Sequence, residues 1–166
     1  MNRPSNVVNV DAIGWEDSKR GMRYEVRRKR LAMAAGAPKL GCSLTEVPPG
    51  KRAWPLHYHT ANEEAVFVLG GAGMLRLGDK EVPIGPGDYV ALPAGNEHAH
   101  QIVNSGAVPL RYLSISTMNE PDVTVYPDSG KVGLFVGSAP GGNPAQRTLY
   151  SFLPIKSAVD YWEGED

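Results

Sequence analysis

Short apolar segments follow one another along most of this chain, each closed by a turn signal. The pattern predicts strands over 24–31, 40–47, 56–59, 64–69, 74–77, 81–84, 89–92, 98–103 and 110–116. Gly70-Gly71, Gly78-Asp79, Gly85-Pro86-Gly87-Asp88, Pro93-Ala94-Gly95-Asn96 and Asn104-Ser105-Gly106 separate the later ones. Gly-Asp and Gly-Asn pairs supply the positive φ that tight turns require. Three more strands are predicted over 123–126, 132–136 and 148–153, with Ala139-Pro140-Gly141-Gly142-Asn143-Pro144 as a loop. No stretch repeats apolar residues at the period of a long amphipathic helix. Many short strands with regular turns predict an all-β, antiparallel sandwich or barrel. Residues 1–20 are polar and without period and read as an N-terminal arm, 21–155 as the barrel, and 156–166 as a C-terminal tail expected to form a short helix.

Composition narrows the function. A chain of 166 residues is about one domain. Its 17 Lys+Arg against 18 Asp+Glu give a net charge of -1, which provides no long-range attraction for a polyanion, so nucleic acid is not the expected partner. The single cysteine, Cys42, excludes an intrachain disulfide and a Cys-only metal cluster, and reads as a small apolar filler. The longest uncharged apolar run lies between Glu64 and Arg76, too short to span a bilayer, and Met1-Asn2-Arg3-Pro4-Ser5 has no apolar signal region. A cytoplasmic protein without a membrane partner is expected. Gly70-Gly71-Ala72-Gly73 is not a phosphate loop, because no Lys-Ser/Thr follows and a strand comes next. An arm with no core of its own orders against something else, and exposed sheet edges offer a pairing surface, so a homodimer is expected.

The chemistry gathers at the histidines. All four fall into two pairs, His57-Tyr58-His59 and His98-Ala99-His100. Residues i and i+2 of a strand share a face, so each pair projects two imidazoles from one side of a sheet. Tyr58 points the other way and reads as packing. Glu63 and Glu64 follow closely. In an unbroken strand Glu63 would lie about 20 Å from His57, so either Glu reaches the imidazoles only if the chain turns at 60–62. Strand parity across such a turn does not choose between the two.

Gly50, His57, His59, Glu64 and Gly71 resemble the first motif of the cupin superfamily, and Gly87, Pro93, Gly95, His100 and Asn104 resemble the second. The Gly50-to-His57 and Gly95-to-His100 spacings are longer than the family pattern. The Gly-to-His count would select His98, whereas the His-x-x-x-Asn count selects His100. The latter is preferred because an inserted turn residue is absorbed more cheaply than a shifted strand register. Glu64 is preferred over Glu63 for its spacing to Gly71. The segment from Tyr112 to Lys131 and the terminal Val159-Asp160-Tyr161-Trp162-Glu163-Gly164 are similar to a subgroup of small bacterial cupins, some labelled as sugar-phosphate isomerases.

The resemblance implies a jelly-roll barrel, the double-stranded β-helix, with a divalent metal held by His57, His59, Glu64 and His100. Three imidazoles and a carboxylate suit Mn, Fe, Co, Ni, Cu or Zn. Such an ion acts on a small oxygenated molecule, in sugar-phosphate isomerase-like chemistry or, with iron, as an oxygenase. The other class is a non-catalytic binding or sensing cupin. The imidazoles must be neutral to bind metal, so protons should compete near the histidine pKa of about 6.5. His98 reads as pocket wall, and Glu63 and Asp79 as surface. Arg27-Arg28-Lys29-Arg30 reads as a solvated strand edge. Arg76, Arg111 and Tyr112 lie on strands that could line the barrel and are candidates for substrate binding.

Overall fold

The computed structural model describes residues 3–165. Met1 and Asn2 of the arm and Asp166 of the tail lie outside the described residues. The strands are β1 (Glu16–Arg20), β2 (Tyr24–Arg30), β3 (Leu40–Val47), β4 (Tyr58–His59), β5 (Glu64–Gly70), β6 (Gly73–Leu77), β7 (Lys80–Ile84), β8 (Tyr89–Leu92), β9 (His100–Val103), β10 (Leu110–Thr117), β11 (Asp122–Tyr126), β12 (Lys131–Val136) and β13 (Leu149–Pro154). One turn of helix, α1 (Leu31–Ala34), joins β2 to β3. Every ladder between these strands is antiparallel. Six strands form one sheet in the order β1-β2-β3-β10-β5-β8, β7-β6-β9 form a second, and β13-β12-β11-β4 a third. Bridges from Arg52 to Val103 and from His57 to His100 join the segment after β3 to β9. The result is an all-β jelly-roll barrel.

The core lies between the sheets. Val26, Val47, Val66, Val68, Leu110 and Tyr112 come from the six-stranded sheet, and they meet Leu75, Ile84 and Ile102 from the three-stranded one. Asn104 ties the two sides together from a fully buried position. Its side-chain amide donates to the Val47 and Val108 carbonyls at 2.8 and 2.9 Å, and its Oδ1 accepts from the Gly106 N–H at 2.9 Å. Gly71 has φ +78°, and a Cβ there would lie 2.5 Å from the Pro109 carbonyl oxygen. The turn into β6 therefore needs glycine twice over, for its backbone angle and for the close approach of β10.

Two stretches differ from the sequence pattern. Glu16–Arg20 forms β1 and pairs with β2, although its sequence EDSKR has no apolar alternation. The arm is held by cations instead: Trp15 lies 4.6 Å from the Arg27 guanidinium and 4.9 Å from Lys29 Nζ, and Lys29 donates to the Val10 carbonyl at 2.8 Å. Arg27-Arg28-Lys29-Arg30 is consequently not a solvated edge, because β1 covers that side. In the tail, Ile155–Ser157 is a single 3-10 turn and no α-helix follows among the described residues. Tyr161 and Trp162 stay exposed there, so no apolar face is buried to support a helix. No helix is long and apolar enough to cross a membrane among the described residues.

Replacing Asn104 with Ala leaves the buried Val47 carbonyl, and the partly buried Val108 carbonyl and Gly106 N–H, without this partner. We expect a loss of about 3 kcal/mol in urea unfolding. A change below about 0.5 kcal/mol would contradict this role.

Candidate metal centre

His57 and His100 face each other across the antiparallel bridge. The His57 N–H donates to the His100 carbonyl at 3.1 Å, and the His100 N–H to the His57 carbonyl at 2.8 Å. Their ring centroids are 4.6 Å apart, and those of His57 and His59 are 5.2 Å apart. The chain then turns at 60–62, as the sequence requires. Buried Asn62 holds that turn: its Oδ1 accepts from the Asn119 N–H at 2.7 Å and the Thr117 hydroxyl at 3.1 Å, and its amide donates to the Asn119 carbonyl at 3.0 Å. Alternation along β5 then places Glu64 on the face of the buried Val66 and Val68 and leaves Glu63 exposed.

Glu64 Oε2 lies 3.0 Å from His100 Nε2 and 3.6 Å from His59 Nε2. One ligand atom from each of His57, His59 and Glu64 lies within 4.8 Å of the others. Each imidazole has its Nδ1 already engaged. His57 Nδ1 donates to the Pro55 carbonyl at 2.8 Å, His100 Nδ1 to the His98 carbonyl at 3.0 Å, and His59 Nδ1 to the Asp122 carboxylate at 2.6 Å. The buried Asp122 also accepts from the Ala61 N–H at 3.0 Å. With Nδ1 protonated, a neutral ring carries its lone pair on Nε2. His57 and His59 bring such lone pairs beside Glu64, whereas His100 Nε2 is hydrogen-bonded to the same carboxylate at 3.0 Å, so a proton lies between those two atoms and a cation would take its place. This donor set suits a divalent transition ion, and hydrogen-bonded Nδ1 atoms orient imidazoles toward one.

The ionisation of these groups follows from the same geometry. Burial, then the neighbouring His100, lowers the His57 pKa to about 3. Burial would raise that of Glu64, but the hydrogen bond from His100 and the charges of the imidazoles outweigh it and bring the value to about 2. Burial likewise opposes a charged His59, yet its hydrogen bond to Asp122 and the nearby Glu64 prevail and raise its pKa. Asp122 shifts down: burial disfavours its charge, and the hydrogen bond from His59 overcomes that. Proton competition at this cluster therefore runs through His59 and not through His57.

The other candidates take different places. His98 ends the 3-10 turn Asn96–His98, so the second pair does not share a strand face, and His98 contributes its carbonyl to His100. Arg76 is turned away from the cavity into a two-pronged pair with Asp128 at 2.7 and 3.0 Å. Arg111 is half exposed and lies 3.5 Å from Glu46. Tyr112 is buried on the wall of a cavity of about 780 Å³, which also takes in His57, His59, Glu64 and His100. Cys42 is half-buried beside the same space, and burial raises its thiol pKa. Sequence reasoning missed Asp122, Asn62 and Tyr126, whose ring stacks on His57 at 6.0 Å and 22°. No spacing rule marks them, because each meets the histidines only through the pairing of β11 with β4 or through the turn at 60–62.

Comparison with known proteins agrees with the barrel fold. Residues 43–116 match the model of the cupin domain. A candidate sugar phosphate isomerase of Acidithiobacillus ferrooxidans superposes with TM-score 0.76 at 25% identity, covering 94% of this chain and 96% of that one. A sugar phosphate isomerase from a cupin superfamily, of Silicibacter pomeroyi, also gives 0.76 at 25% identity, covering 95% and 98%. An oxalate-binding protein of Thermotoga maritima is 33% identical over 70 residues, 42% of this chain and 55% of that protein. The chain spans about half the length of the curated relatives it matches.

In metal-free protein, the folded pKa of His57 (about 3) and that of Glu64 (about 2) lie below their ordinary values of 6.5 and 4.5. Across each interval the unfolded chain holds a proton that the folded chain lacks, so both contributions to stability are complete above the ordinary value and fade as pH falls. His59 is displaced the opposite way; its contribution is complete below pH 6.5 and is lost only as pH rises through its raised value. Urea midpoints of metal-free protein should therefore fall between about pH 7 and pH 4.5, and His57→Gln should reduce that fall. Equal pH dependence in the two proteins would contradict the assignment.

Proposed function

We propose that the chain, whose residues 43–116 match the cupin domain, is a cupin and a metal-dependent enzyme acting on a small oxygenated metabolite, with sugar-phosphate isomerase-like chemistry favoured. His57, His59, Glu64 and His100 would hold the ion. The observation that carries this reading is the convergence of three Nδ1-engaged imidazoles and Glu64 on the wall of one cavity. A bound divalent ion supplies Lewis-acid polarisation of adjacent substrate oxygens. Asp122 keeps His59 in the tautomer that presents Nε2, and Glu64 stays ionised as the anionic member of the set. Tyr126 lines the cavity beside His57. Burial, with Tyr150 and Asp122 nearby, pushes its hydroxyl up to about 12, so it stays protonated and can donate to a substrate oxygen. Phe135 and Phe152 line the same space and give it an apolar side.

The whole-chain likeness to two structures that carry the isomerase name supports this chemistry over an iron-dependent oxygenation with the same ligands. The oxalate-binding relative supports a non-catalytic alternative, and one experiment separates the three. Protein purified without added metal should contain about one divalent ion per chain. His57→Ala should lose most of it and His98→Ala little, by elemental analysis. Metal-loaded protein is then screened by NMR against phosphorylated aldoses and ketoses, and for oxygen uptake. Interconversion is the expected result. Oxygen uptake would point to the oxygenase, and ligand binding without turnover to the binding protein. Full metal content in His57→Ala would overturn the ligand set.

A further inference from the structure

Strand β2 turns two of its four consecutive cations into the barrel. Val26 belongs to the buried core, so by alternation Arg28 and Arg30 share its face, while Arg27 and Lys29 lie outside against Trp15. Arg28, Arg30 and Arg147 all line the cavity that contains the histidine cluster. Among the described residues they share one carboxylate, Glu16, which lies 3.8 Å from Arg28 and 2.8 Å from Arg30. Arg30 also donates to the Gly142 carbonyl at 3.0 Å, and Arg147 to the carbonyls of Ser138 and Ala139 at 3.3 Å. Holding that loop accounts for two of the three. Arg28 makes no hydrogen bond to the protein among the described residues, and its guanidinium lies 5.5 Å from the centre of the Trp54 ring. Burial, then the charge of Arg30, works against its ionisation. Four cations (Arg28, Arg30, Lys39 and Arg147) and two acids (Glu64 and Glu120) line the cavity, in a chain whose net charge is -1. A half-buried, planar guanidinium without a full counter-charge is suited to bind an anion with two oxygens.

The wall between the arginines and the cluster is hydroxylated. Arg28 pairs with Thr45 and Arg30 with Ser43 on β3; Ser43 pairs with Ser114, and Ser116 on β10 pairs with Glu64 on β5. Thr45 and Ser114 hydroxyls lie 3.0 Å apart. From β2 to β5 is three strand spacings, about 14 Å along the wall. The length of the arginine side chains and the barrel's curvature shorten that gap, and a separation of this order favours a ligand longer than two carbons.

We infer that Arg28, with Arg30 and Arg147, forms an anion subsite for the terminal phosphate or carboxylate of a polyhydroxylated substrate whose other end meets His57, His59, Glu64 and His100. The inference rests on the proposed metal-dependent function and adds the class and length of the substrate. Titration calorimetry on metal-loaded wild-type protein tests it with four probes: a hexose 6-phosphate, a hexuronate, the parent neutral hexose and oxalate. One of the two long anions should bind at least about tenfold more tightly than the neutral hexose, and more tightly than oxalate; which of them does so identifies phosphate or carboxylate. Arg28→Gln should abolish that preference, and Arg28→Lys should restore part of it, with metal content unchanged. Equal binding of charged and neutral hexoses, or tighter binding of oxalate, overturns the subsite. The wild-type comparison stands even if a variant does not fold. Loss of metal binding in wild type would instead defeat the functional premise, so the two failures are distinguishable.

Discussion

Acceptor atoms of like character do not gather in a protein interior without something positive among them. His57, His59 and His100 each have Nδ1 engaged, two by backbone carbonyls and one by Asp122, and His59 and His100 turn Nε2 toward Glu64. The low pKa values of His57 and Glu64 express the same constraint, because burial makes a second positive ring costly while the imidazoles favour one negative carboxylate. Protons between His100 and Glu64 and on His59 relieve the repulsion, and a divalent cation at the proposed site would have to displace them. Protons and metal would then compete for the cluster, which would tie occupancy of the site to pH.

The rest of the molecule keeps these four side chains in position. The bridge between His57 and His100 belongs to the junction of the segment after β3 with β9, so two imidazoles are set by backbone hydrogen bonds and not by rotamer choice alone. Asn62 shapes the turn that reverses the chain into β5 and brings Glu64 inward. Strand β11 pairs with β4 and carries Asp122 against His59. Three separate parts of the chain therefore converge on one small volume, and the hydroxylated wall formed by β2, β3 and β10 continues from it toward the arginines.

Much of this was legible in the sequence. Alternation and Gly-Asp turns located most strands to within two residues, because a half-buried strand must alternate and a tight turn must adopt positive φ. The paired histidines and Glu64 stood out for the same reason, since i, i+2 spacing has a fixed meaning on a strand. Strand β1 did not stand out: it is fixed by cation–ring contacts at Trp15, which leave no periodic trace. The i, i+2 spacing of the second pair places His98 on a strand, yet Gly95 opens a 3-10 turn there. Asp122 and Arg28 were out of reach for a different reason. One looks like a loop acid and the other like a member of a surface charge run until sheet pairing shows what each faces.

The claim on which the rest turns is that three imidazoles present Nε2 to one ion while each Nδ1 keeps its proton. Proton NMR of cobalt(II)-loaded protein in water reads this directly, because each retained Nδ1–H lies close to the ion and exchanges with solvent. Three strongly shifted resonances that disappear in heavy water, one each for His57, His59 and His100, are the expected result. Fewer than three in fully loaded protein would contradict it.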